Sequence, residues 1–360
     1  MKHHSSFIFV FIISYSFVLF PQEIINNQLT GVREWWDVYI PPVLQYTQSS
    51  DTLKQIKVDG NQFVFTDDSK AHFRGLSIAD PDKIEYQDEW NKKLFEDVKN
   101  LGANIVRIPV HPIAWRLRTP NEYIKLLDDA VQWCTELGLY IIIDWHSIGN
   151  LKTGLFQDPM YITSYTETLS FWQTIARHFA NHNTIAFYEL FNEPTTYREE
   201  LGSVTWEEWR KMNEDMIRVI RAFDKETIPL VAGFDWAYDL TPLYIDPVNA
   251  AGIGYVTHPY GHKRTQPFEP KWEENFGFAA SQYPVFATEF GFTLGDLSTK
   301  DNIEYGTAII KYLEDKGISW SWWVYDPDWW PQMIKSWDER DLTDNGKFFK
   351  DAADGVIDNK

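Results

Sequence analysis

The 360-residue chain has one cysteine, Cys134, so no internal disulfide can form. Cys134 falls inside the helix-like stretch "AVQWCTELG", where a packed thiol is expected rather than a nucleophile. Basic charge is scarce too: 33 Lys and Arg stand against 52 Asp and Glu, a net charge of -19. Nucleic acid and anionic membranes call for a basic surface, so both are excluded as partners. Long apolar runs are nearly missing. The single one, 14 residues over 7–20, follows Lys2. It is shorter than the ~20 residues a membrane-spanning helix needs, and it reads as a secretory signal peptide over residues 1–21. No clear small-x-small cleavage site follows, so a retained anchor stays open. Export is the expectation, to an extracellular, periplasmic or cell-surface location, with no membrane span in the mature chain. No linker or repeat divides the rest. Residues 22–55 read as an N-terminal extension and residues 56–360 as one large domain.

Aromatic residues, by contrast, are abundant: 16% of the chain, with 17 Trp. Part of this belongs to the core and part to surfaces that stack on flat ligands. "IKVDGNQFVFTDD" (56–68) alternates apolar and polar residues around Asp59-Gly60, which predicts a β-hairpin. Short apolar runs then alternate with amphipathic stretches. Strands are predicted at 72–78, 103–110, 139–147, 184–194, 229–236, 252–260, 284–291 and 318–326. Helices are predicted between most of them, at 88–101, 121–137, 162–181, 205–224, 271–282 and 300–316. Gly102, Gly138 and Gly317 stand where left-handed helix caps are expected. Eight strands alternating with helices predict an α/β fold, a (β/α)₈ TIM barrel with an N-terminal hairpin. A doubly wound open sheet is the runner-up, but no Gly-rich dinucleotide loop follows the first strand. The helical pattern is weakest between the fifth and sixth strands.

In such a barrel the active site lies at the C-terminal ends of the strands. Those ends carry Arg107, Asp144 and His146, Asn192 and Glu193, Asp235 and Trp236, His258 and Tyr260, Glu289, and Trp323 and Asp326. Any one of them has a bland explanation, such as a structural ion pair or a satisfied core histidine. Polar or aromatic closure at almost every strand does not. Glu193 ends the fourth strand and Glu289 the seventh, which face one another across a closed ring of eight. Two facing carboxylates point to cleavage of a glycosidic bond, one acid protonating the leaving oxygen and one carboxylate facing the oxocarbenium-like centre.

With these residues in place the chain resembles glycoside hydrolase family 5. The matching stretches are "NIVRIP" (104–109), "DWHS" (144–147), "FNEP" (191–194), "HPY" (258–260), "TEFG" (288–291) and "SWWVYD" (321–326), in the family's order. "NEP" alone is shared across the wider clan, whereas the full set is specific. The resemblance implies a retaining double displacement, with Glu193 as acid/base and Glu289 as nucleophile. It implies that Asn192 binds the sugar's 2-hydroxyl, that Arg107 and Tyr260 contact Glu289, and that His258 steadies Glu193. His146 would contact the sugar at the cleavage point, above Trp323 as a floor. A raised Glu193 pKa is expected, since the acid must donate a proton.

Trp145, Trp236, Trp272, Trp329 and Trp330 are candidate subsite platforms, each with packing as the alternative. Several platforms favour an endo-acting enzyme on a long, neutral β-linked polysaccharide or oligosaccharide. β-1,4-Glucan is the leading substrate; β-mannan, xyloglucan, mixed-linkage glucan and exo-glucosidase action stay open. The chain is expected to work as a monomer, without cofactor or metal. Two other classes are weighed: a metal-dependent hydrolase using Asp144, His146, His258 and Asp326, and a catalytically dead sugar-binding barrel.

Overall fold

A computed structural model describes residues 53–292 and 303–357. The expected signal peptide and most of the expected N-terminal extension lie outside them. The predicted hairpin is β1 (Ile56–Asp59) paired antiparallel with β2 (Gln62–Phe65), turning at Gly60. Eight parallel strands follow: β3 (Arg74–Ile78), β4 (Ile105–Val110), β5 (Tyr140–Trp145), β8 (Ile185–Glu189), β10 (Ile228–Ala232), β11 (Gly254–Val256), β12 (Val285–Phe290) and β13 (Ser319–Tyr325). They close in that order, β13 pairing back onto β3, into the barrel the sequence predicts.

The parity of each strand sorts its residues. Val106 and Ile108 of β4 join the large core between strands and helices, while Ile105 joins a second core inside the barrel. Phe63 of the hairpin packs edge-on against Phe187, their ring centroids 4.8 Å apart, and so plugs the N-terminal mouth. That leaves the C-terminal mouth as the open end.

The predicted glycine caps occur as expected: Gly138 (φ +67°) and Gly317 (φ +68°) end the helices Pro120–Leu137 and Ile303–Lys316. The helix Trp206–Arg221 starts from a capping box of Thr205 and Glu208. Between β10 and β11 there is only a short turn at Phe234–Ala237 and a 3₁₀ turn at Thr241–Tyr244, matching the weak pattern there. The helices Pro112–Arg118 and Asp344–Ala353 were not predicted.

One correction bears on the site. The run 184–194 is not a single strand. β8 stops at Glu189, and the chain steps sideways into a small sheet formed by β6 (Ile148–Asn150), β7 (Leu155–Phe156) and β9 (Glu193–Pro194). The amide of Asn192 donates to the Trp145 carbonyl and that of Glu193 to the Ser147 carbonyl, both at 3.1 Å. Glu193 is therefore held by the loop after β5, beyond the end of its own barrel strand.

Candidate active site

Arg107 sits at the centre of the open mouth, fully buried. It lies two residues beyond Ile105 on β4, so it faces into the barrel. Its Nε and Nη2 donate to the two oxygens of Glu189 at 2.8 and 3.0 Å. Nη1 donates to Glu289 Oε2 at 2.9 Å, and Nη2 also reaches Asn192 Oδ1 at 2.7 Å and Asp144 Oδ2 at 2.9 Å. One guanidinium thus fixes three carboxylates and an amide. A buried cation survives only with such compensation.

Glu189 is a residue the sequence reading missed. Burial alone would push its carboxyl pKa up, but Arg107 and His258 outweigh burial and hold it down at about 2. His258 Nε2 lies 3.3 Å from Glu189 Oε1 and 3.0 Å from Thr288 Oγ1, while Nδ1 lies 3.0 Å from Glu193 Oε1. Despite full burial, the two glutamates raise the His258 pKa above the usual histidine value.

Glu289 is held on its other side by Tyr260, whose hydroxyl donates to Oε1 at 2.7 Å. One carboxylate oxygen of Glu289, one of Glu193 and a ring nitrogen of His258 all lie within 4.8 Å of one another. Glu193 and Glu289 remain slightly accessible, at 7% and 6%. The expected rise in the Glu193 pKa is not what the free protein has. Burial acts in that direction, but Lys263, His258 and Arg107 together turn it into a net lowering. The expectation rests on the acid's need to donate a proton and takes no account of these three nearby cations.

Asn192 spends its carbonyl on Arg107 and is left with a buried amide NH₂ that has no protein partner. Such a group is ordinarily satisfied, so this one is free for a ligand. His146 hydrogen-bonds Asp144 Oδ2 through Nδ1 at 2.6 Å and stacks parallel to Trp323 at 5.3 Å. Burial holds His146 well below the usual histidine pKa, so it is neutral.

Two cavities open at this mouth and share Trp330 in their linings. One, about 480 Å³, is lined by Glu193 and Glu289 with Asp235, Trp236, Tyr260, His262, Lys263, Arg264 and Trp330. The other, about 340 Å³, is lined by His111, His146, Met160, Tyr161, Trp323, Asp328, Trp329 and Trp330. Trp236, Trp329 and Trp330 thus line open space. Trp145 and Trp272 do not, and their assignment as platforms is corrected. Trp145 is fully buried, stacks on Phe171 at 4.1 Å and donates Nε1–H to Thr168. Trp272 is buried on its helix, stacked on Phe268 at 5.3 Å.

The metal alternative does not assemble. Asp326 is taken by Lys83 at 2.7 Å and by the amides of Asp328 and Trp329. Among the described residues the donor set close enough to share an ion is Glu193, His258 and Glu289, not the four proposed.

The family model "Cellulase (glycosyl hydrolase family 5)" matches residues 59–329. The chain belongs to glycosyl hydrolase family 5. Among solved family structures, a β-glucanase from Saccharophagus degradans is 43% identical and superimposes with a TM-score of 0.84, covering 90% of this chain and 100% of that one. The same β-glucanase has been solved in complex with cellotetraose, at 42% identity and the same TM-score of 0.84, again over 90% of this chain and 100% of that one. An endoglucanase from Clostridium saccharobutylicum is 23% identical over 84% of this chain, which spans 65% of that relative's length. For endoglucanase E-5 from Thermobifida fusca the chain spans 46% of the relative's length, at 26% identity over 63% of this chain. No helix among the described residues is long and apolar enough to cross a membrane.

Proposed function

We propose that this family 5 chain is an exported, retaining endo-β-1,4-glucanase. The observation that carries the reading is the carboxylate pair, with oxygens of Glu193 and Glu289 within 4.8 Å and each carboxylate fixed by its own partners. Retaining enzymes hold their two carboxyl groups at roughly 5–5.5 Å, whereas inverting enzymes need roughly 6.5–9.5 Å to admit a water.

In the first step Glu289, paired with Arg107 and oriented by Tyr260, attacks the anomeric carbon. The glycosidic oxygen leaves with the Glu193 proton, and a glycosyl ester forms on Glu289. Substrate filling both cavities expels water from around Glu193, which favours its neutral form. Forming the ester removes the Glu289 charge, and that favours the Glu193 carboxylate. Glu193 then takes a proton from water as that water attacks the anomeric carbon and frees Glu289. The unpartnered amide of Asn192 supplies a donor for the 2-hydroxyl, a bond that strengthens in the transition state.

Two cavities that share Trp330, one of them lined by both carboxylates, give room for several sugars and support internal cleavage. A β-glucanase and endoglucanases among the relatives support glucan over mannan. Export is supported by the apolar run at 7–20 behind Lys2. The test is reducing-sugar release from soluble cellulose, mixed-linkage glucan, xyloglucan and β-mannan, with the anomeric form of the first product read by NMR. Rapid viscosity loss on soluble cellulose with β-configured product is expected. An α-configured product, or release from mannan alone, overturns the reading.

A further inference from the structure

The larger cavity has an unusual wall. Asp235, Trp236 and Ala237 are three consecutive non-glycine residues with φ of +56°, +55° and +58°. L-residues rarely adopt this conformation, and it persists only where surroundings impose it. Lys263 does much of the imposing. Its ammonium donates to the carbonyl of Asp235 at 3.0 Å and to that of Trp236 at 2.6 Å. Arg264 adds an ion pair to Asp235 at 3.2 Å. The turn is also tied to the catalytic network, because the amide of His258 donates to the Ala237 carbonyl at 3.0 Å.

The turn carries one large side chain into the cavity that Glu193 lines, the indole of Trp236. Its Nε1–H donates to Gln157 at 3.1 Å, and Tyr197 meets its ring edge-on at 5.8 Å. The turn beneath it, Gln157 and Tyr197 together set the ring's position. Lys263 lines the same cavity, which both carboxylates also line, whereas His146 and Trp323 line the other one.

We propose that Lys263 is a positioning residue for the leaving-group side: by clamping the left-handed turn 235–237 it sets Trp236 beside Glu193 and so governs how well the departing sugar is held. The inference rests on Glu193 being the acid. Its ligand is the glucosyl unit, or chain of them, on the far side of the cleaved bond.

Two substrates separate the roles. Cellotetraose has a sugar leaving group that needs both a proton and a seat. Dinitrophenyl β-cellobioside has a leaving group that needs neither. Lys263→Met should lower kcat/KM on cellotetraose about tenfold or more, the loss expected for charge-assisted hydrogen bonds, while changing the dinitrophenyl substrate less than about threefold. Lys263→Arg, which keeps charge and donors, should recover part of the loss. In a Trp236→Ala background, Lys263→Met should cost little more, because both act on one feature.

A pH profile adds a readout that a scaffold residue would not move. Glu193 is faced by His258 and Tyr260 after β11, Arg107 of β4, Asp144 of β5, Glu289 of β12 and Tyr161 of the loop after β7. Lys263 is one of the cations that lower it, so Lys263→Met should move the alkaline limb for cellotetraose upward. Equal losses on both substrates, or losses additive with Trp236→Ala, overturn the proposal. Dinitrophenyl hydrolysis that survives Glu289→Ala overturns the underlying glycosidase mechanism instead.

Discussion

At the N-terminal end of the barrel the inward faces carry Ile105, Ile142, Phe187, Val256 and Phe286. Two residues further along the same strands, or just past their ends, the same faces carry Arg107, Asp144, Glu189, His258 and Thr288. One step of the β period, roughly 7 Å, separates a dry aromatic plug from a fully buried network of charges. The two layers are equally buried, yet they are held by different physics. The lower layer gains by removing apolar surface from water, and none of its members needs a charged partner to be tolerated there. In the upper layer every charge is tolerable only because its partners are present. That difference makes the lower layer a scaffold and the upper one chemically usable.

The largest effect should come from the residue at which the upper layer meets solvent. Glu289→Ala should reduce kcat on the order of 10⁴-fold or more, because it deletes the nucleophile. Thermal unfolding should show little loss of stability, since Arg107 keeps Glu189, Asp144 and Asn192. A large fall in Tm would mean that Glu289 is a structural member of the network.

A matched pair of substitutions separates the layers themselves. Phe187→Ala should cost about 3–5 kcal/mol in urea unfolding, the range for emptying a core aromatic. Arg107→Met should cost a similar ~3–5 kcal/mol, because it strands three carboxylates in the interior. Only Arg107→Met should also collapse kcat; Phe187→Ala should leave kcat/KM within about threefold of wild type. Equal catalytic losses would show that the two layers are mechanically coupled.

How much of this was legible beforehand depends on what each signal encodes. The apolar runs and the glycines at 138 and 317 reveal elements, because they reflect local geometry. Glu189 stayed hidden because Leu190 and Phe191 continue the apolar run, so the segment reads as one strand ending at Glu193. Only the hydrogen bonds from Asn192 and Glu193 to the loop after β5 reveal the break, and those partners are some 45 residues away in sequence. Trp145 was misread for the opposite reason, since its signal was present. It stands between Asp144 and His146, which both face the mouth, so strand parity sends it outward to Phe171. The left-handed turn at 235–237 leaves no trace in the sequence, because none of its residues is glycine.

Acid should distinguish the layers next. Glu189 has a folded pKa of about 2, below that of an unfolded glutamate at about 4.3. A depressed carboxylate stabilises the fold above the unfolded value, and that stability is lost as pH falls through the folded one. Urea midpoints should therefore drop between about pH 4.5 and pH 2, and Glu189→Gln, though less stable at neutral pH, should show a shallower drop. His258 has the opposite sign. Its raised folded pKa contributes stability below about 6.5 that is lost as pH rises through the folded value. The pH dependence of Phe187→Ala should parallel wild type, since an apolar layer binds no protons.

The smallest effect concerns the tryptophans, where the contrast between buried scaffold and exposed chemistry recurs at the barrel's rim. Trp329 lines the cavity of His146 and Trp323, stacks on Trp323 at 5.7 Å and lies under the Lys83 ammonium at 5.4 Å. Its ring is pre-set, and a sugar would stack on it at little ordering cost. Trp329→Ala should raise KM for cello-oligosaccharides several-fold to about tenfold, in line with the ~1 kcal/mol of an aromatic contact, with kcat nearly unchanged. Trp145→Ala should do the reverse, lowering Tm through the cavity left against Phe171 while KM stays put. An exchange of those two signatures would mean that exposure at this rim does not report contact with substrate, and would remove the same ground for Trp236 and Trp330 as platforms.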